Sequence, residues 1–303
     1  MNESSSHQQI ITLTNYLQER HTQSTTTRYY NDILNFLNSI TQEKALRATY
    51  SDIMDYVEKL RKKYSNAETI KVNIHAIKKY YFWLNHTGQR KDHPCRNLKL
   101  KDKANRDKQL QDLFKVEELE QLMERKERYK DLKNKNQVII SLLIYQGLTV
   151  GEITRLELKN IDLEKGEIYI KSTTRTNRRT LKLKPKQIML FYKYINETRP
   201  KLLKVSPFEG DLEGTLILTK LGTAESGEGI SYLLETAKSL FPDRNLNAKT
   251  IRQSVIANLL KSGHDLRLVQ VFAGHKYPGS TEKYRQTGIE ELKAGIQKYH
   301  PLK

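Results

Sequence analysis

The 303-residue chain has almost nothing with which to cross-link itself. Cys95 is its single cysteine, which excludes an internal disulfide and a cysteine-based zinc site and fits a reducing cytoplasm. Cys95 stands in a polar turn, Asp92-His93-Pro94-Cys95-Arg96, and reads as incidental rather than catalytic. No apolar run approaches the roughly 20 residues of a membrane-crossing helix, and no basic-then-apolar leader opens the chain, so no membrane partner is expected. His, Asp and Glu nowhere fall at metal-ligand spacing, and no glycine-rich loop precedes a lysine as a nucleotide site requires, so neither a metal nor a cofactor is expected. Internal repeats and low-complexity blocks are missing too. Acidic residues are in short supply: 35 Asp and Glu face 53 Lys and Arg, a formal charge of +18. That excess is larger than solubility needs and points to a polyanion as partner.

The first hundred residues carry apolar side chains at the three-and-four spacing of amphipathic helices. Ile10, Ile11, Leu13 and Leu17 mark a first helix; Tyr30, Ile33, Leu34 and Leu37 mark a second, after Ser24 and a run of threonines able to cap it. A third begins near Ser51 with Ile53, Met54, Val57 and Leu60. Ser65 followed by Glu68 is a capping-box signature for a fourth, which runs through Ile70, Ile74, Ile77, Tyr81 and Leu84. Residues 1–91 are therefore expected to form a four-helix bundle. Lys62, Lys63, Lys71, Lys78 and Lys79 lie on or beside its last two helices, either as a solvated face or as a face that tracks phosphates. Tyr80-Tyr81-Phe82-Trp83 is open to two readings, core packing and stacking on bases. From residue 92 to 112 periodicity vanishes while lysine and arginine accumulate, the pattern of a basic linker.

Residues 113–303 read as a larger, mostly helical domain with one small antiparallel sheet, so the fold class is mainly α with a β minority. Val138–Tyr145 is a buried helix stopped at Gln146-Gly147. Gly166-Glu-Ile-Tyr-Ile-Lys and Arg179-Thr-Leu-Lys-Leu-Lys both alternate and make a hairpin with a basic tip. Beyond it come a helix over 185–198, a short strand at 216–218, and helices over 232–241, 250–261 and 266–272. Residues 289–299 are amphipathic and helical in pattern, suited to packing on their own domain or on a neighbour's.

The informative constellation is Lys249-Thr-Ile-Arg252, then Ala273-Gly274-His275, then Thr281-Glu-Lys-Tyr284. With Gln146-Gly147-Leu148-Thr149-Val150-Gly151-Glu152 upstream, the hairpin Thr174-Arg175-Thr176 to Arg179, and the amino-terminal helices, it resembles the tyrosine recombinases (phage-type integrases) over nearly the whole chain. The resemblance implies a SAM-like core-binding domain followed by a catalytic domain that ends in an exchanged helix. It also implies double-stranded DNA as partner, a homotetramer assembled on it, and cleavage through a 3′-phosphotyrosine link with no cofactor. Carried over residue by residue, Tyr284 is the nucleophile, Arg252 a phosphate clamp and His275 a hydrogen-bond donor to the phosphate. Three positions depart from the pattern: Thr149 stands where the first arginine belongs, Lys249 where a histidine belongs, and Arg175 where a lysine belongs. Arg175, Arg178 or Arg179 is expected to fill the space left at Thr149, with Lys249 supplying the mobile proton. A second reading keeps the fold and the basic surface without strand cleavage.

Overall fold

The computed structural model describes residues 13–102, 113–206 and 214–284, and the chain divides into two compact units, Met1–Asp107 and Lys108–Lys303. Each has its own apolar core. Among the described residues no helix is long and apolar enough to cross a membrane.

In the first unit, residues 13–18 (α1) are helical and precede α2 (Gln23–Ile40), a short α3 (Gln42–Arg47), α4 (Tyr50–Lys63) and α5 (Ala67–His86). Helix α4 begins where expected, Thr49 capping it in a reciprocal box with Asp52. Two caps differ from expectation: Ser24 lies inside α2, which Thr22 precedes without a side-chain cap bond, and Asn66, not Ser65, caps α5 by accepting from the Glu68 amide at 2.9 Å. The choice of Asn66 fits the rule that the cap must immediately precede the first helical residue, where its short oxygen reaches the free amides. Phe36 meets Tyr56, Tyr80 and Tyr81 edge-on with ring centroids 5.0–6.5 Å apart, so α2 and α5 are joined by aromatic packing. Tyr80, Tyr81 and Trp83 are buried, while Phe82 is exposed; three of the four aromatics thus belong to the core. The Tyr81 hydroxyl donates to the Ala45 carbonyl (3.0 Å), holding α3 in place. Of the stretch read as a linker, the described part packs on this unit. Cys95 and Leu98 enter the core, and burial pushes the Cys95 thiol up to about 12.

The second unit is built around α7 (Lys133–Tyr145), whose Val138, Ile139, Leu142 and Leu143 are all fully buried; α6 (Val116–Gln121) precedes it and α8 (Val150–Ile153) follows. The sheet is three-stranded and antiparallel in the order β1 (Ile161–Asp162), β2 (Glu167–Ile170), β3 (Arg179–Lys182), with Ile168 opposite Leu181 and Ile170 opposite Arg179. Side chains in β3 alternate strictly: Arg179 and Leu181 are buried, Thr180 and Lys182 exposed. Arg179 is therefore on the core side of the sheet by strand geometry alone.

The helix expected over 185–198 is instead α9 (Pro185–Lys193), a π-helical turn at Tyr194–Thr198, and α10 (Arg199–Leu203). Pro200 has no amide hydrogen to continue the ladder, which re-registers ahead of it. Residues 216–218 are buried but lie outside the sheet. Leu218 only bridges Ala224, and the chain reverses at once through Thr219 and Thr223. Helices α11 (Gly227–Glu235), α12 (Ala248–Lys261), α13 (Leu266–Ala273) and α14 (Gly279–Glu282) follow among the described residues. The amphipathic stretch 289–299 lies outside the described residues.

The Tyr194 hydroxyl donates to the Leu216 carbonyl (3.0 Å) and accepts from the Leu218 amide (3.1 Å), so one phenol satisfies two buried backbone groups. Removing it leaves both unpaired, at roughly 1–3 kcal/mol each. Tyr194→Phe is expected to lose about 2–6 kcal/mol in urea unfolding, and a loss below about 0.5 kcal/mol would show that water replaces the phenol.

Candidate active site

The site is organised by α8, a single turn of helix. Gly147 (φ +58°) breaks the chain out of α7, and Thr149 then caps α8 in a reciprocal box with Glu152. The Glu152 amide donates to Thr149 Oγ1 (3.2 Å), while the Thr149 amide (2.9 Å) and hydroxyl (3.0 Å) donate to Glu152 Oε2. Oε1 receives Arg179 Nη1 at 2.7 Å and the Thr176 hydroxyl at 3.0 Å. Arg252 Nη1 stands 3.9 Å from Oε2. Burial by itself would raise the Glu152 pKa, but the hydrogen bond and charge of Arg179, with help from Thr149 and Arg252, outweigh it and hold the carboxyl at about 2. Glu152 is thus a buried anion that joins a helix cap, the hairpin and α12.

Arg252 lies on α12. Its Nη1 donates to the Gly147 carbonyl (2.6 Å) and its Nη2 to the Ala273 carbonyl (2.5 Å), tying the end of α7 to the end of α13. Burial draws its pKa down; Glu152 opposes that, Arg179 adds to it, and Tyr284 opposes it as well. The four groups therefore share one electrostatic neighbourhood.

Helix α13 ends at Gly274 in the left-handed conformation (φ +68°), which turns His275 back toward the hairpin. The Asn177 amide donates to the Gly274 carbonyl (2.8 Å) and Thr176 bridges His275, so the hairpin tip is stitched to this turn. His275 Nδ1 is 2.8 Å from the Thr281 hydroxyl. Burial first, then the charges of Arg252, Lys283 and Arg179, lower the His275 pKa to about 4, so the ring is neutral near pH 7. Tyr284 follows α14 and packs with Ile256, Ala257, Val269 and Ala273; only 5 % of it is exposed.

Of the residues singled out from the sequence, Arg252, His275, Tyr284 and Arg179 come together. Arg175 and Arg178 do not join them in the interior. Both are exposed, Arg175 at the hairpin tip and Arg178 beside a groove of about 460 Å³ that is also lined by Arg267, Lys276 and His275. Lys249 is exposed in the first turn of α12, three residues before Arg252 and hence one turn away on a similar face. In the first unit, Lys62 pairs with Glu58 (2.8 Å) and Lys63 lies by the Tyr64 ring, both exposed, while Lys71 and Lys79 are half-buried. Lys78 differs: its ammonium donates to the carbonyls of Arg96 (3.2 Å) and Leu98 (2.6 Å), fastening that segment to α5.

Sequence reasoning had not placed Glu152, Thr176 or Thr281 in the site. The Thr-x-x-Glu spacing at 149–152 is a capping-box signal for Glu152; Thr281 stands in the stretch that carries the resemblance, six residues from His275, and only Thr176 acts through a partner distant in sequence, Glu152.

Two outcomes follow. Because the folded pKa of Glu152 lies below its ordinary 4.5, its contribution to stability is complete above that value and is lost as the pH falls toward 2. Glu152→Gln should cost about 3 kcal/mol at pH 7, and the gap between the two proteins should close in acid; a gap independent of pH from 7 to 3 would contradict the assignment. At Gly274, a Cβ would sit 2.5 Å from Arg179 Nη1 and 3.0 Å from its Cζ. With the left-handed backbone added, Gly274→Ala should destabilise by roughly 2 kcal/mol or more and shift the His275 ring resonances, whereas an unaltered melting curve would place Arg179 elsewhere.

Known proteins match over the same extent. Residues 113–290 match the phage integrase family and residues 10–88 the phage integrase N-terminal SAM-like domain. The tyrosine recombinase XerC of Oceanobacillus iheyensis is 26% identical over 298 residues, covering 96% of this chain and 95% of its own. XerC of Lactobacillus delbrueckii subsp. bulgaricus is 27% identical over 241 residues, 78% of each chain. In three dimensions the Tn1549 transposon integrase in complex with circular intermediate DNA superposes with a TM-score of 0.68 at 15% identity, covering 95% of this chain and 98% of that one. XerH recombinase bound to palindromic difH substrate gives 0.67 at 19% identity, over 90% of this chain and 79% of that one. With the family pattern running through α8, the hairpin, α12 and the turn before Tyr284, this chain belongs to the phage integrase family.

Proposed function

We propose that the chain is a site-specific DNA recombinase that cuts and rejoins double-stranded DNA through Tyr284. The observation that carries this reading is the convergence of Arg252, Arg179, His275 and Tyr284 around one buried carboxylate, from four different parts of the second unit. Its relatives are tyrosine recombinases by name, and the chain's charge of +18 suits a DNA partner.

The chemistry follows from the groups present. The Tyr284 hydroxyl attacks a backbone phosphodiester; a 3′-phosphotyrosine bond forms, the bond to the 5′ oxygen breaks, and that oxygen leaves as a hydroxyl after gaining a proton. A hydroxyl from another strand reverses the step, so the bond energy is kept and no nucleotide is consumed. Phenol is protonated near pH 7, so cations around it must favour its ionisation. Arg252 has two of its five N–H bonds on backbone carbonyls, which leaves donors for a phosphate oxygen. His275, neutral and fixed against Thr281, offers a hydrogen bond without adding charge. Lys249 carries the mobile proton for the leaving oxygen and Arg175, at the exposed hairpin tip, a phosphate contact; a guanidinium holds its proton too tightly to serve as the acid. Lys62, Lys63, Lys71 and Lys79 of the first unit track the duplex backbone, with Lys78 shaping the surface between them. Assembly is as a homotetramer on two duplexes in the cytoplasm, at the nucleoid.

The test is covalent capture. Incubated with nicked duplexes drawn from its own genomic neighbourhood, the wild-type chain should give a band of protein joined to DNA on a denaturing gel, and Tyr284→Phe should give none while binding equally well. Tight binding with no band from either protein would identify a DNA-binding relative without strand cleavage.

A further inference from the structure

Arg179 is buried with its side chain 2 % exposed, yet three of its five N–H bonds meet no acceptor among the described residues. Nη1 donates to Glu152 (2.7 Å), whereas Nε and Nη2 are enclosed and have no hydrogen-bond partner among the described residues. An enclosed donor of a charged group left unpaired costs free energy at every moment the protein is folded, so such a group needs an explanation. Gly274, which lines the groove holding Arg178, Arg267, His275 and Lys276, lies against this guanidinium: a Cβ there would stand 2.5 Å from Nη1 and 3.0 Å from Cζ. Its charge reaches both His275 and Arg252.

Charge counting shows what the site would lack without it. Thr149 is neutral, and the Arg252 charge is opposed by the Glu152 carboxylate 3.9 Å away. Glu152 and Arg252 alone sum to zero; with Arg179 the cluster carries one net positive charge. A site that must hold an anion in transit needs that surplus, and a planar fork with an adjacent Nε–H and Nη2–H presents the two parallel donors that a pair of phosphate oxygens accepts.

We propose that Arg179 is a catalytic residue of this chain, holding non-bridging oxygens of the scissile phosphate through Nε and Nη2 while Nη1 stays on Glu152. It takes the role open at Thr149, and does so from the core face of β3 rather than from the hairpin tip. Glu152 is then a positioning residue that aims the fork, and Gly274 is glycine because any side chain there would occupy the space of the guanidinium.

The inference rests on the recombinase reading, and the experiment separates the two. The full chain first selects its own binding duplexes from a random-sequence pool. Adduct formation is then timed on nicked forms of these for wild type, Arg179→Gln and Arg179→Lys, with either the natural scissile phosphate or a neutral methylphosphonate in its place. The expected result on phosphate is a slowing of about a hundred-fold for Arg179→Gln and about ten-fold for Arg179→Lys. On methylphosphonate, where a methyl group replaces one non-bridging oxygen and the negative charge is gone, the variants should come within about three-fold of wild type. Equal slowing on both substrates would give Arg179 a structural role only and overturn the proposal. If wild type makes no adduct, the recombinase reading is the one that fails, and the clamp is read directly from the Arg179 Nε–H resonance, identified by its loss in Arg179→Lys. A shift on adding inorganic phosphate supports an oxyanion clamp, and an unmoved resonance overturns it.

Discussion

One buried carboxylate orders the second unit's site. Glu152 accepts from the cap of its own helix, from the hairpin through Thr176 and Arg179, and stands close to Arg252 of α12. None of these elements is near the others in sequence, and the apolar core beneath them fixes their positions only to the tolerance of side-chain packing. The carboxylate supplies direction. Its two oxygens lie where four donors converge, so the hairpin and α12 are held in one rotational setting relative to α8. A buried ion pair of this kind adds little to net stability compared with well-packed apolar residues; what it gives is a unique arrangement, because every misplacement leaves a charge unpaired.

The turn at Gly274 complements that arrangement from the other side. Helix α13 must end abruptly for His275 to face the hairpin, and a left-handed residue ends it within one step. The Asn177 amide and Thr176 then grip the turn from the hairpin, so the hairpin is fixed at both ends: by strand pairing with β2 at its base and by this clasp at its tip. His275 inherits its place from the clasp, and its neutrality from burial among three cations.

Much of this was readable in advance, and the reasons differ by element. Helices with strong apolar periodicity, such as α5 and α7, follow from the requirement to bury one face or the whole circumference. The alternation Arg179-Thr-Leu-Lys fixed more than the presence of a strand: a residue in phase with Leu181 must point inward with it. That argument was available for choosing among Arg175, Arg178 and Arg179, since the first two precede the strand and only the third shares its inner face. The family resemblance singled out Arg252, His275 and Tyr284. What the sequence did not display were contacts whose partners are far apart along the chain, such as Thr176 with Glu152, or Arg252 with the Ala273 carbonyl. Nor did it display the fate of residues 216–218, which look like a strand because they are apolar but are buried as a connector. The π-helical turn at Tyr194 was hidden for a related reason, since a local pattern cannot tell which of two ladders a proline downstream will force.

Thr149 is both a departure from the family pattern and a working part of this fold. Its hydroxyl accepts from the Glu152 amide and donates to the Glu152 side chain, and such a cap contributes about 1 kcal/mol. Restoring an arginine there would remove the cap and bring a third guanidinium to a single carboxylate already matched to two. Thr149 is thus coupled to its neighbours: the effect of changing it depends on Glu152, Arg179 and Arg252 remaining as they are.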